Sequence, residues 1–130
     1  MNKASFTLSQ RSRDRMKGVH PDLTKVVELA ITKSEVDFVV TEGLRSVERQ
    51  RQLVAAGASK TMNSRHLTGH AVDLAALVGG SVRWDWPLYS KIAAAMKAAA
   101  AELNVPIEWG GDWKSFKDGP HFQLPFNKYK

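Results

Sequence analysis

The stretch Ser64-Arg65-His66-Leu67-Thr68-Gly69-His70-Ala71-Val72-Asp73-Leu74 constrains this chain more than any other part of it. From His70 to Val78 the residues have strand character, with Val72, Leu74 and Ala76 on one face and Ala71, Asp73 and Ala75 on the other. If the first face packs inward, Asp73 looks out of the opposite one. His66 lies in the loop entering this strand, and a turn at Gly69 can aim both side chains at one point. Near the C-terminus, Asp118-Gly119-Pro120-His121 leads into a last strand in which His121 and Gln123 share one face and Phe122 and Leu124 the other. The same parity lets His121 sit on the open face while its neighbours fill the core.

The remaining elements follow from caps and periodicity. Residues 7–17 read as a short basic helix that Ser9 can cap and Gly18 can end, its arginines forming a solvated face. His20-Pro21-Asp22 reads as a second helix start, and Leu23, Val26, Val27, Ala30 and Ile31 make one apolar stripe behind it. Residues 36–41 are β-branched and aromatic, a buried strand that Gly43 breaks, with Arg45 just past its end. Ser46 can cap a third helix carrying Val47, Gln50, Leu53 and Val54 and closed by Gly57, and residues 58–65 should be loop. Gly79-Gly80 turns the chain into a hairpin. Asp85 can cap a fourth helix running to about Leu103, with Leu88, Ile92, Ala95, Met96, Ala99 and Leu103 as its buried stripe. Residues 107–109 are a short strand, and the C-terminus beyond the last strand is a tail packed over the domain or frayed.

A chain of 130 residues is the size of one domain and long enough to bury a core without covalent staples. Residues 1–130 are therefore expected to form a single domain with no separate wall-binding module. Cysteine is absent, which excludes disulfides, thiolate chemistry and sulfur-ligated zinc, so any metal relies on nitrogen and oxygen ligands. The N-terminal residues hold no apolar core that could act as a secretory signal, and the apolar run over 92–101 is far short of the roughly 20 residues that span a bilayer. A soluble protein without stable membrane insertion is the expectation. Nineteen Lys and Arg against thirteen Asp and Glu give a net charge of +6, which suits polyanionic targets. The arginines are scattered and no nucleic-acid reader motif is present, so no nucleic-acid partner is expected.

Three readings of the histidines compete. His66 and His70 are spaced as on one helical turn, but Leu67 stands where a His-Glu-x-x-His metalloprotease needs its glutamate, and Gly69 weakens a helix there. Alternatively His66, Asp73 and His121 hold zinc with one position open, and Asp118 stands beside the metal as the base. The third reading, ordinary polar residues satisfied in a core or on a surface, stays open on these residues alone. Arg45 is either a cation that stabilises the charge developing on a scissile carbonyl or a surface salt-bridge partner. His70 is a supporting or a structural residue, and of Trp109 and Trp113 at least one should pack in the core.

A resemblance bears on that choice. Residues 64–73 match the Ser-x-His-x-x-Gly-x-Ala-x-Asp pattern of the D-alanyl-D-alanine carboxypeptidase and vancomycin-resistance dipeptidase superfamily, whose fold the hedgehog signalling domain shares, and Asp118-Gly119-Pro120-His121 matches its acid-x-x-His element. Leu8-Ser9, Gly18-Val19-His20-Pro21-Asp22-Leu23, Thr41-Glu42-Gly43-Leu44-Arg45-Ser46 and Trp109-Gly110-Gly111-Asp112-Trp113 resemble the phage endolysins of this superfamily, which are L-alanyl-D-glutamate peptidases. The carboxypeptidases usually show Gly-Tyr-Arg where this chain has Gly43-Leu44-Arg45, and many carry Glu where Asp118 stands, which favours the endolysin branch.

The resemblance implies an α+β fold, a small antiparallel sheet flanked by helices. It implies a zinc ion on His66, Asp73 and His121, with Asp118 as catalytic acid/base and Arg45 steadying substrate or oxyanion. The implied substrate is the peptide stem of bacterial peptidoglycan. The protein would be made in the host cytoplasm, act on periplasmic murein as a monomer, and need a holin-type partner for release. The alternatives are a D-alanyl-D-alanine carboxypeptidase or dipeptidase of the same superfamily and a non-catalytic, zinc-stabilised binding domain.

Overall fold

Capping residues and apolar stripes place the helices in a computed structural model that describes residues 6–58, 64–114 and 117–129. Helix α1 covers Gln10–Arg15, and the Ser9 hydroxyl at its N-cap accepts from the Ser12 N–H. Helix α2 covers Pro21–Lys33. The His20 imidazole caps it by accepting from the Asp22 N–H, and Leu23, Val26, Val27, Ala30 and Ile31 are all buried, as their spacing predicts. Helix α3, Val47–Ala55, starts at the expected Ser46 cap. Of the residues expected on it, Val47 is 52% exposed, whereas the polar Gln50 is fully buried and its side chain binds Arg45.

Helix α4, Trp86–Leu103, packs against α2 and touches β2, and the buried residues of both helices share one core with those of the sheet. Ile92, Ala95, Met96 and Ala99 are buried as expected, but Tyr89, Ala93 and Ala100 are buried with them and Leu103 is 37% exposed. The buried face is thus rotated from the predicted one toward Tyr89, the only side chain of the helix long enough to reach the sheet ladder with a hydroxyl. Asp85 occupies the N-cap position without making a side-chain cap bond, because its carboxylate accepts from Arg83 at 2.7 Å instead.

The sheet contains β1 (Asp37–Glu42), β2 (Ala71–Val78), β3 (Ser81–Arg83), β4 (Glu108–Trp109) and β5 (His121–Gln123), and every pairing is antiparallel. The order is β1-β2-β5-β4, with β3 also on β2. Strand β2 is therefore central. Its edge away from β1 is shared between β5, which pairs with Ala71–Asp73, and β3, which pairs with Ala76–Val78. Val72, Leu74, Ala76, Phe122 and Leu124 join the helices in one core, which leaves Asp73, His121 and Gln123 on the other face. The fold is α+β, as expected. Of the loop expected over 58–65, residues 59–63 lie outside the described residues, and Arg65 already belongs to a 3-10 turn over Arg65–Thr68. The segment after β5 is packed down: Arg65 donates to the Leu124 carbonyl and lies 4.2 Å over the Phe126 ring, and the Tyr129 hydroxyl donates to Asp22.

Tyr89 is inserted between β2 and β3, where its hydroxyl accepts from the Ala76 N–H at 3.1 Å and donates to the Arg83 carbonyl at 2.8 Å. Replacing it by phenylalanine keeps the ring and strands two backbone groups, so urea unfolding of Tyr89→Phe should show a loss of about 1–3 kcal/mol. An unchanged midpoint would mean that the hydroxyl does not close the ladder there.

Candidate metal centre and cleft

Strand register brings the polar residues together. Asp73 on the central strand faces His121 of β5 on one side and Glu42 of β1 on the other, and a shift in register between Val40 and Glu42 turns the end of β1 toward it. His66 arrives on the 3-10 turn, which Gly69 stops in a left-handed conformation (φ 76°); a Cβ there would collide with the Gly18 carbonyl. Asp118 is held through its backbone, donating to the Gly110 carbonyl at 3.0 Å and accepting from the His121 N–H at 3.2 Å. Gly110 can have no side chain, since a Cβ would run into the Asp118 carbonyl.

His66, Asp73 and His121 each offer one ligand atom, and these atoms lie within 4.8 Å of one another. No other such group of His, Asp and Glu occurs among the described residues. The His66 Nδ1–H donates to the Gly43 carbonyl at 2.8 Å, so its lone pair is on Nε2. That nitrogen is buried, lies 3.3 Å from Asp73 Oδ1 and has no hydrogen-bond partner. On the other side, Asp73 Oδ1 lies 3.3 Å from His121 Nδ1. An unpartnered buried nitrogen is costly and calls for an acceptor of its lone pair. Two imidazoles and one carboxylate fit a divalent ion such as zinc, which would satisfy that nitrogen and offset the Asp73 charge.

Without a metal the charges of these groups are balanced against one another. Burial opposes ionisation of Asp73, but the contacts with His121 and His66, the hydrogen bond to His121 first, overcome it and hold the carboxyl far below its usual range. Burial pushes the other way on His121, where the hydrogen bond and charge of Asp73 outweigh it and raise the imidazole. Asp118 is raised, by burial first and then by repulsion from Asp73, with His121, His66 and Arg45 partly offsetting both. A carboxyl biased toward holding a proton beside one that stays ionised is the division of roles that acid/base work requires.

Arg45 borders the same cleft, but sequence reasoning missed how it is held. Its Nε and Nη2 both donate to Glu42 Oε1, its Nη1 donates to Gln50 Oε1 at 2.7 Å, and its Nη2 lies 3.8 Å from Asp73 Oδ2. It is thus neither a free cation nor a surface salt bridge. The only sequence signal for its holders is position: Glu42 closes the strand and Gln50 stands one helical turn into α3.

The cleft has a volume of about 840 Å³ and is lined by Arg45, His66, Asp73, Trp113, Asp118 and His121 among others. Trp113 forms a wall with its ring 5.2 Å from that of His121, whereas Trp109 is a core residue that stacks on Phe122 and donates its indole N–H to the Gly119 carbonyl. His66 and His70 do not form a pair. His70 bonds through Nδ1 to Thr68 Oγ1 and packs near His20 and Tyr129, away from the metal set, which makes it structural.

A family described as "Phage L-alanyl-D-glutamate peptidase" matches residues 4–124. The L-alanyl-D-glutamate peptidase of Escherichia phage T5 is 31% identical over 118 residues, covering 88% of this chain and 86% of that protein. The crystal structure of the L-Ala D-Glu endopeptidase ChiX of Serratia marcescens superposes with a TM-score of 0.92 at 53% identity, covering 96% of this chain and 94% of the other. The vancomycin-resistance D,D-dipeptidase VanXYg superposes with a TM-score of 0.54 at 21% identity over 82% of this chain and 50% of its own, a likeness of fold alone.

If the three side chains form a metal site, divalent ion at about 100 times its Kd should stabilise the chelator-treated protein by about 2.7 kcal/mol, read as a rise in melting temperature. His66→Ala and His121→Ala should each abolish that rise. A variant that retained it would place the ion elsewhere.

Proposed function

The chain belongs to the phage L-alanyl-D-glutamate peptidase family, and on that premise we propose that it cleaves the L-alanyl-D-glutamate bond of the peptidoglycan stem with one zinc ion held by His66, Asp73 and His121. The observation that carries the metal part of this reading is the buried, unpartnered Nε2 of His66 facing the Asp73 carboxylate. When bound, zinc supplies Lewis acidity toward the scissile carbonyl and a lowered pKa for water.

The protein residues divide the remaining work. Asp118 borders the cleft beside His66, Asp73 and His121, and its raised pKa suits it to take a proton from the attacking water and pass it to the leaving amine of D-glutamate. Arg45, fixed by Glu42 and Gln50, presents a cation whose position does not have to be organised as negative charge builds on the carbonyl oxygen. Part of its charge is offset by Glu42, so its contribution comes from fixed placement as much as from net charge. Trp113 shields one wall of the cleft from water.

The net charge of +6 suits the anionic murein sacculus and the lipid headgroups around it. The described residues include no helix long and apolar enough to cross a membrane, and in this reading release from the host cytoplasm depends on a separate membrane-permeabilising partner of the holin type. In this reading the protein acts as a monomer.

Product masses from defined muropeptides test the bond: cleavage should free the stem from D-glutamate onward and leave L-alanine on the glycan, whereas loss of terminal D-alanine alone would establish a carboxypeptidase. Asp118→Ala should lower kcat by about 10²- to 10⁴-fold while zinc content and melting temperature stay at parental levels. Full turnover in this variant would remove Asp118 from the reaction. Arg45→Lys keeps the charge but loses the fork that grips Glu42 and Gln50, and should raise the barrier by about 3 kcal/mol, read as kcat/KM; a parental value would assign Arg45 to structure only.

A further inference from the structure

Two hydrogen bonds behind His121 decide which of its nitrogens faces Asp73. Gln123 Oε1 lies 2.7 Å from His121 Nε2, and Gln123 Nε2 donates to Glu108 Oε1 at 3.1 Å. The three residues are placed for this by strand geometry. Glu108 and Gln123 are direct partners across β4 and β5, and Gln123 follows His121 by two residues on the same face of β5. His121 and Gln123 are both buried.

The donors and acceptors can be arranged in one way only. A carboxylate accepts and cannot donate, so the Glu108 side of the Gln123 amide must be its NH2 group, which leaves the carbonyl oxygen toward His121. Turning the amide over would set its oxygen against the Glu108 carboxylate. A carbonyl oxygen also only accepts, so His121 must carry a proton on Nε2. In the neutral ring, the form that can ligate a metal, the lone pair is then on Nδ1, which lies 3.3 Å from Asp73 Oδ1 and loses its proton to bind the ion. His66 is set in the opposite sense, with Nδ1–H on the Gly43 carbonyl and Nε2 toward Asp73. The two imidazoles thus offer different nitrogens to one point, and each has its remaining N–H bound to a protein oxygen.

We propose that Glu108 and Gln123 are positioning residues for the metal centre: Glu108 orients the Gln123 amide, and the amide oxygen holds His121 with Nδ1 as its ligand atom. Without this relay the ring could flip or change tautomer and present a proton to the ion. Partners of this kind are typically worth about 10- to 100-fold in metal affinity. The inference rests on the metal reading of His66, Asp73 and His121.

Three measurements on the full chain test it, none of which reads turnover. In ¹H–¹⁵N NMR of the zinc-loaded protein, the His121 ring proton should be on Nε2; a proton on Nδ1 overturns the proposal. In zinc competition against a chelator, Gln123→Met, similar in size but without an amide, should bind zinc about 10- to 100-fold more weakly than the parent, and parental affinity overturns the proposal. Exchanging the pair, Glu108→Gln together with Gln123→Glu, keeps a relay of reversed polarity in which the new carboxylate still accepts from His121, and should recover most of the lost affinity. An exchanged pair as weak as Gln123→Met overturns the relay, and if Gln123→Met does not fold, the NMR measurement and the exchanged pair decide. A parent protein that takes up no zinc overturns the metal reading as well, whereas a parent that binds zinc while Gln123→Met binds it equally well overturns this inference alone.

Discussion

A carboxylate set between two imidazoles, at the junction of three strands and a turn, is the interaction on which the rest of this structure depends. Burying Asp73 is unfavourable in isolation; Arg45 lies 3.8 Å from one of its oxygens, and the His66 and His121 nitrogens 3.3 Å from the other complete a set whose charge a divalent cation would offset. None of these partners is its neighbour in sequence. The arrangement therefore exists only when β2 pairs with β5 in register, β1 ends with its shift at Glu42, and the turn over Arg65–Thr68 stops at Gly69.

The sheet separates two demands that compete for the same residues. Its core face, with Val72, Leu74 and Phe122 against α2 and α4, supplies hydrophobic stabilisation and rigidity. The other face carries Asp73, His121 and Gln123, whose polar atoms are matched chiefly to one another and to Glu108 and Arg45. Because side chains alternate along a strand, each polar residue is clamped between core residues, and small errors in its position are resisted by the packing on both sides. Asp118 is placed differently, by backbone hydrogen bonds in a tight turn beside Gly110, which leaves its carboxyl free for proton transfer.

Much of this was legible in the sequence, for reasons that can be named residue by residue. The stripe Leu23, Val26, Val27, Ala30 and Ile31 predicts the buried face of α2 because 3.6-residue periodicity leaves no other choice, and Ser9, His20 and Ser46 cap the helices that follow them. Parity along β2 and β5 predicts which side of the sheet Asp73 and His121 occupy. The misreadings share one cause, the capture of a side chain by a hydrogen-bond partner that periodicity and capping rules do not take into account. Asp85 is drawn from its cap by Arg83, Gln50 is drawn inward by Arg45, and Tyr89 turns the buried face of α4 toward a gap in the ladder.

Local sequence by itself determined which residues have the chemistry to bind a metal and move a proton, and which face of each strand they occupy, because composition and alternation are properties of neighbouring positions. It could not decide which nitrogen of each histidine is free, that Arg45 is gripped by Glu42 and Gln50, or that Trp113 walls the cleft while Trp109 fills the core. Some of those outcomes depend on contacts between segments far apart in the chain, as His66 on the Gly43 carbonyl, and others on how near neighbours such as Glu42, Arg45 and Gln50 are turned toward one another, and in both cases only the packed tertiary structure fixes the side-chain directions.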